Sequence, residues 1–312
     1  MTQQEYSSEK DMFYLDWPEE QAGGDSRYFR WLQPASNICL DFHGDPVQAQ
    51  LVVFSDGNHH MALRDCLELF ERQNKDLSGI FYATTPPGPI VKMLRNGGLQ
   101  MGNLVISVSP NVFISPPEIL DRLVADGLMS EHISFVRNQG NVLLVKKGNP
   151  KHIFKVSDLA RGDIRLFLSN SETEKASFTA YYNTLKAIAS DETANPGFLD
   201  EKITQGQVLF GKCIHHREAP QAVAEGSVDV AVVFYHLALR YLRIFPDLFE
   251  AVPLGGSIEK PEPLPGNNPC KTHIGLVGDG GVWGSKLVSF LGSKQAMEIY
   301  QHHGLLSVPN VL

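Results

Sequence analysis

Four-residue apolar runs joined to a helical repeat recur along the chain, and that recurrence limits the available folds more than any other feature. LVVF at 51–54 precedes Leu63, Cys66, Leu67 and Phe70; LVIS precedes ILDRLVADGLM; VLLV precedes VSDLA; and VAVVF follows Ala219, Ala222 and Val223. Apolar runs this short suit strands covered on both faces, and the 3.6-residue spacing suits helices with one apolar side. Strands alternating with helices predict an α/β fold with mainly parallel sheet and helices on both faces.

Before residue 49 the pattern is absent. Residues 1–48 are acidic, dotted with aromatics and aperiodic, and are expected to form an extension that wraps the surface or stays partly disordered. The stretch GGSIEKPEPLPGNNPC at 255–270 is too rich in glycine and proline to be anything but a loop or connector. Ser115-Pro116-Pro117-Glu118 reads as a capping box with proline at the first helical position, and Ser157 is placed to cap the turn at Asp158. Ser293 is placed to cap KQAMEIYQHH, which Gly304 ends.

Composition removes several function classes. With 312 residues and a formal charge of −8, the chain has no broad basic field for nucleic acid or an anionic membrane, so any anion must be held by aimed donors. The most apolar stretch, VDVAVVFYHLALRYLRIF, contains Asp229, His236, Arg240 and Arg243 and is too polar to span a membrane. The four cysteines form no CxxC pair, so buried thiols are expected rather than a zinc knuckle or a disulfide frame. The first twenty residues lack a basic and an apolar leader region, which predicts a cytoplasmic protein as the sequence stands, or a periplasmic one whose leader has been removed.

The order of segments resembles the molybdate-binding proteins of ABC transporters and, more widely, the type II periplasmic binding proteins, over about residues 49–308. LVVFSDGNHHMALRDCLELF is similar to that family's first strand and helix, and NLVISVSPNVF to its second strand with a serine-bearing loop. The run from NVLLVKKGNPKHIFKVSDLA to the acidic turn ETEKAS resembles the crossing into a second lobe. REAPQAVAEGSVDVAVVFYHLA resembles the helix and strand that return, and LVSFLGSKQAMEIYQHHGL the closing helix. The likeness implies two α/β lobes, the first from 49–138 with 253–312 and the second from 139–252, and a ligand held between them. It further implies a small tetrahedral oxyanion, molybdate or tungstate, delivered to an ABC transporter permease or to a cytoplasmic acceptor protein.

By that resemblance the ligand contacts are Ser55, Asn58 and His59 after the first strand and Ser107 in the second loop. Glu174, Lys175, Ala176 and Ser177 would contribute at the lobe-two turn, with Tyr235 beside Phe234, which stands where the family has tyrosine. Serines and amides at helix starts suit an oxyanion because they donate without formal charge. Asp56 is out of character in such a place. The pairs His59-His60 and His215-His216 stand at helix starts and leave open three roles: surface or capping residues, anion contacts, or a zinc site built from both lobes. His302-His303 ends the last helix and reads as structural. Arg217 matches a recurrent family arginine, with a salt bridge as its other role. Catalysis is disfavoured: Ser55 lacks a G-x-S-x-G elbow, and no P-loop or dinucleotide fingerprint occurs.

Overall fold

A computed structural model of the chain describes residues 15, 42–56, 59–85, 87–101, 104–192, 195–212 and 214–308. The first pass through lobe one comprises β1 (Phe42–His43), β2 (Leu51–Ser55), α1 (His60–Gln73), β3 (Ile80–Ala83) and α2 (Pro87–Asn96). It continues with β4 (Leu99–Met101), β5 (Leu104–Ile106), β6 (Val112–Ser115), α3 (Pro117–Ala125) and β7 (Met129–Arg137). Lobe two holds β8 (Asn141–Lys146), a 3-10 turn (Val156–Ala160), β9 (Leu166–Leu168), α4 (Lys175–Glu192) and α5 (Phe198–Thr204). It is completed by β10 (Val208–Phe210), α6 (His215–Glu225), β11 (Val230–Phe234), α7 (Tyr235–Ile244) and β12 (Phe249–Pro253). The chain returns to lobe one as β13 (Lys271–Val277), α8 (Gly281–Leu291), α9 (Lys294–His302) and β14 (Leu306–Ser307).

Each lobe is built on one mixed sheet. The first runs β1-β3-β2-β6-β13-β7-β14, the second β10-β9-β11-β8-β12. Parallel pairing is confined to β3-β2-β6 and to β10-β9-β11. The strands that cross between lobes pair antiparallel, because they enter from the opposite end. Leu51, Val53 and Phe54 are fully buried, as a strand covered on both faces requires. Leu63, Cys66, Leu67 and Phe70 turn the apolar side of α1 onto that sheet. Shaving Phe54 to alanine would cost about 3–5 kcal/mol at such a site.

Two expectations are corrected here. LVIS does not enter the main sheet: β5 pairs with β4 in a separate two-stranded ribbon. The strand that joins β2 is VFIS, because Val112 to Ile114 bring three consecutive bulky side chains to a position buried on both faces. Second, Ser115 does not cap α3; Pro116 is the capping residue, without a side-chain bond, and the helix opens at Pro117, one residue later than the capping box implies. At the 3-10 turn the Asp158 carboxylate, not Ser157, accepts from the amides of Phe154 and Lys155. Ser293 does cap α9, accepting from Ala296 N at 3.3 Å, and Gly304 takes the left-handed conformation at φ +83°.

Of residues 1–48, Phe42–His43 add an antiparallel edge strand against β3. Leu15 is buried, its amide donating to the Gln221 side chain on α6 at 2.8 Å. The remainder of that extension, residues 1–14 and 16–41, lies outside the described residues.

Candidate ligand-binding site

Parallel strands bring their carboxyl ends to one edge, where open α/β sheets bind ligands. In lobe one the register pairs Phe54 with Ala83 and Ser55 with Ile114, so the next residues, Thr84-Thr85, Ser55-Asp56 and Ser115, stand side by side. All are buried. Ser55 Oγ donates to the Asp56 carbonyl at 3.0 Å, and Asp56 N donates to the Ile114 carbonyl at 3.0 Å. Thr85 Oγ1 and Ser115 Oγ have no partner among the described residues. A buried hydroxyl without a partner costs about 1–3 kcal/mol, so two at one strand edge make it a candidate place for a ligand or a bound water.

His59 stands just before α1 and is buried; its Nε2 lies 3.0 Å from Thr272 Oγ1 and 3.7 Å from the Asp56 carboxylate. Burial pushes its pKa down to about 3. Its ring lies 6.3 Å from that of His236 on α7, so the lobes touch here. The cavity left between them, bordered by His59, Met61, His236, Arg240, His303 and Leu305, is about 10 Å³, room for one water. Cys270, on the connector back to lobe one, is tied to the first crossing: its amide donates to Asn138 Oδ1 at 2.9 Å and its carbonyl accepts from Asn138 N at 3.0 Å.

The wall contributed by lobe two is more polar than the sequence suggests. At the end of β9, Ser169 is fully buried and its Oγ has no partner among the described residues. The Glu174 carboxylate accepts from His215 N, the first amide of α6, at 3.0 Å. Burial pushes the Glu174 pKa up to about 8, against the pull of the His215 amide and with the aid of the Glu218 charge. Glu218 in turn accepts from Lys212 N at 2.9 Å and Ile214 N at 3.1 Å, fixing the loop before α6. His215 Nε2 lies 2.9 Å from the Val232 carbonyl, which can only accept, so the ring carries its proton there and presents Nδ1 as an acceptor. Burial drives the pKa values of His215 and His216 to about 3. Arg217 is fully buried, its pKa lowered by burial and by the neighbouring Arg240 charge.

Of the residues singled out in the sequence, Ser55 and His59 share the lobe-one edge, and Glu174 stands in lobe two against the start of α6. Lys175, Ala176 and Ser177 form the first turn of α4, with Lys175 and Ala176 exposed. Ser107 follows β5 of the ribbon, is exposed and does not share the strand edge with Ser55. The Tyr235 hydroxyl donates to the Ile258 carbonyl at 2.6 Å, so the connecting loop already engages it. Asn58 lies outside the described residues, and His60 opens α1. Among the described residues no three His, Cys, Asp or Glu side chains converge to hold a metal. His303 is structural, accepting from Arg243 and reaching Asp65 at 2.9 Å.

Sequence reasoning missed Thr84, Thr85, Ser115 and Ser169. The signal was there for the first three: IFYA-TT and VFIS-PP repeat the LVVF-S pattern of apolar strand followed by hydroxyl.

Two α/β lobes, each on one mixed sheet and strung on two crossings, define the two-lobed fold of the periplasmic binding proteins. The profile described as "Bacterial extracellular solute-binding protein" matches residues 51–306, and the chain belongs to that family. Among solved structures it is similar to the periplasmic molybdate-binding protein of Azotobacter vinelandii, with 15% identity, 84% of this chain and 100% of that one covered, and a TM-score of 0.59. It is also similar to the sulfate-binding protein SubI of Mycobacterium tuberculosis, at 18%, 83%, 86% and 0.58. A third is the tungstate-binding protein TupA of Desulfovibrio alaskensis, at 12%, 83%, 98% and 0.52. At such identities the likeness shows the fold. No curated protein matches the chain in a sequence comparison. Among the described residues no helix is long and apolar enough to cross a membrane.

Proposed function

We propose that the chain binds a small oxyanion of the molybdate, tungstate or sulfate type between its lobes, without transforming it, and hands it to the permease of an ABC transporter. The observation that carries this is the set of buried hydroxyls, Thr85 and Ser115 on lobe one and Ser169 on lobe two, whose oxygens have no partner among the described residues at the carboxyl ends of the parallel strands. They are neutral donors of the kind a desolvated anion needs. The three similar structures named above carry molybdate-, sulfate- and tungstate-binding proteins on this fold. The family's description as extracellular supports work outside the cytoplasm, in place of the cytoplasmic placement expected from the sequence start.

His59 and His236 lie 6.3 Å apart, ring to ring, beside the crossings, with room there for about one water. In this reading, ligand contacts made only on closure favour the closed population. A second reading has its own support. The carboxylates of Asp56 and Glu174 and the acceptor Nδ1 of His215 suit a ligand that also donates, such as a protonated oxyanion or a hydroxy acid.

A melting panel with molybdate, tungstate, sulfate, phosphate, lactate and zinc tests both. An oxyanion at roughly a thousand times its Kd adds about 4 kcal/mol of stability. A rise with a fully deprotonated oxyanion supports the first reading, and a rise only with phosphate or lactate the second. Stabilisation by zinc alone, or by nothing, would discard both.

A further inference from the structure

The large sheet brings together a serine and a histidine that lie far apart in sequence: His273 pairs with Ser115 on one side and with Ser134 on the other. Ser134 on β7 is the register partner of His273 on β13, and Ser134 Oγ lies 3.1 Å from His273 Nε2. His273 Nδ1 lies 2.8 Å from His132 Nδ1, and His132 Nε2 lies 3.0 Å from the Asp121 carboxylate on α3. We propose that Ser134, His273, His132 and Asp121 form a reactive relay in which Ser134 is a nucleophile toward activated carboxylic esters.

The proton directions follow from the partners. A carboxylate only accepts, so a neutral His132 carries its proton on Nε2 and accepts at Nδ1. His273 must then donate from Nδ1, which leaves its Nε2 as the acceptor facing the Ser134 hydroxyl. The nucleophile meets a base, and the base is oriented by a second ring and a carboxylate; this is the logic of a catalytic triad with one member added. A break in the ladder makes the pairing: Thr272 faces Val136 but His273 faces Ser134, so Phe135 is passed over, and a regular ladder would set Phe135 against His273. Ser134 and His273 are both partly exposed, so a small ester can reach them.

In the reaction, Ser134 Oγ bonds to the ester carbonyl carbon while its proton passes to His273 Nε2. The carbon–oxygen bond to the leaving alcohol breaks, and that proton goes to the departing oxygen. His132 and Asp121 act as positioning residues. The charged and titratable groups around His273 are His132 on β7, Lys271 on β13, and Asp121 and Glu118 on α3.

The test is p-nitrophenyl acetate on the full chain, followed by peptide mass mapping. A burst of one equivalent of p-nitrophenol and an acetyl group on Ser134 are expected, and Ser134→Ala removes both. His273→Gln lowers the labelling rate by about a hundredfold or more. The wild-type rate rises with pH through one inflection; His132→Gln moves that inflection while the label stays on Ser134. Acetyl groups on lysines with none on Ser134 would overturn the proposal, and so would an unchanged rate in His273→Gln at an unchanged melting temperature. Should His273→Gln fail to fold, the mapping of the wild-type chain still decides.

Discussion

The carboxylate of Glu174, at the entry to α4, accepts a hydrogen bond from the first amide of α6, that of His215, at 3.0 Å. A helix N-terminus is where an external anion would be stabilised, and here the chain supplies a carboxyl of its own. With its pKa raised to about 8, Glu174 is largely protonated near neutrality and gains charge in mild alkali. Oxyanion affinity is therefore expected to fall by about tenfold or more between slightly acid and alkaline solution, a difference of about 1.4 kcal/mol. Glu174→Gln should bind as tightly in alkali as the wild type does in acid. Calorimetric titration at the two pH values checks this, and an equal loss in the variant would clear Glu174 of the role.

Stability should peak near pH 6.5, where two opposed linkages meet. Glu174 has its folded pKa raised from 4.5 to about 8, so the folded state holds the extra proton and stability falls as pH rises across that window. His59, His215 and His216 have folded pKa values lowered from 6.5 to about 3, so the unfolded chain takes up protons first and stability falls as pH drops through that range. Each group changes stability by at most about 1.4 kcal/mol per pH unit, and below pH 6.5 three histidines outweigh one carboxyl. Urea denaturation across pH should show the maximum, with Glu174→Gln flattening the alkaline side and steepening the acid side above about pH 4.5.

Thr85→Val and Ser115→Ala each remove a buried hydroxyl that has no partner among the described residues. The unliganded protein should keep its stability or gain about 1 kcal/mol, since an unsatisfied polar group is lost with little change in shape. The melting shift produced by the oxyanion should shrink in each and vanish in the double variant. Ser107→Ala, on the exposed loop after β5, should leave that shift intact.

His303 ties the lobes together. Arg243 on α7 can only donate, so His303 accepts at Nδ1, 3.2 Å away, and donates from Nε2 to Asp65 on α1 at 2.9 Å. His303→Ala should cost about 1–3 kcal/mol by stranding these partners. It should also raise the radius measured by small-angle X-ray scattering, as α7 of lobe two loosens from α1 and α9. An unchanged radius would mean that other contacts hold the closed form.

Local pattern in the sequence was enough for much of the fold. Residues 51–73 declare a buried strand and an amphipathic helix, Ser293 and Gly304 bound α9, and the strand–helix order places the chain among two-lobed binding proteins. These features depend on neighbours within a few residues, and local sequence is where periodicity and capping are written. Which strand lies beside β2 was decided elsewhere: VFIS, not LVIS, enters the sheet, which moves the proposed lobe-one contacts from Ser107 to Thr85 and Ser115. The pairings of Glu174 with His215 and of Ser134 with His273 join residues 41 and 139 positions apart. Such contacts exist only after strand register and lobe packing are set. The shifted pKa values likewise come from water excluded by the folded chain, so tertiary structure alone determined them.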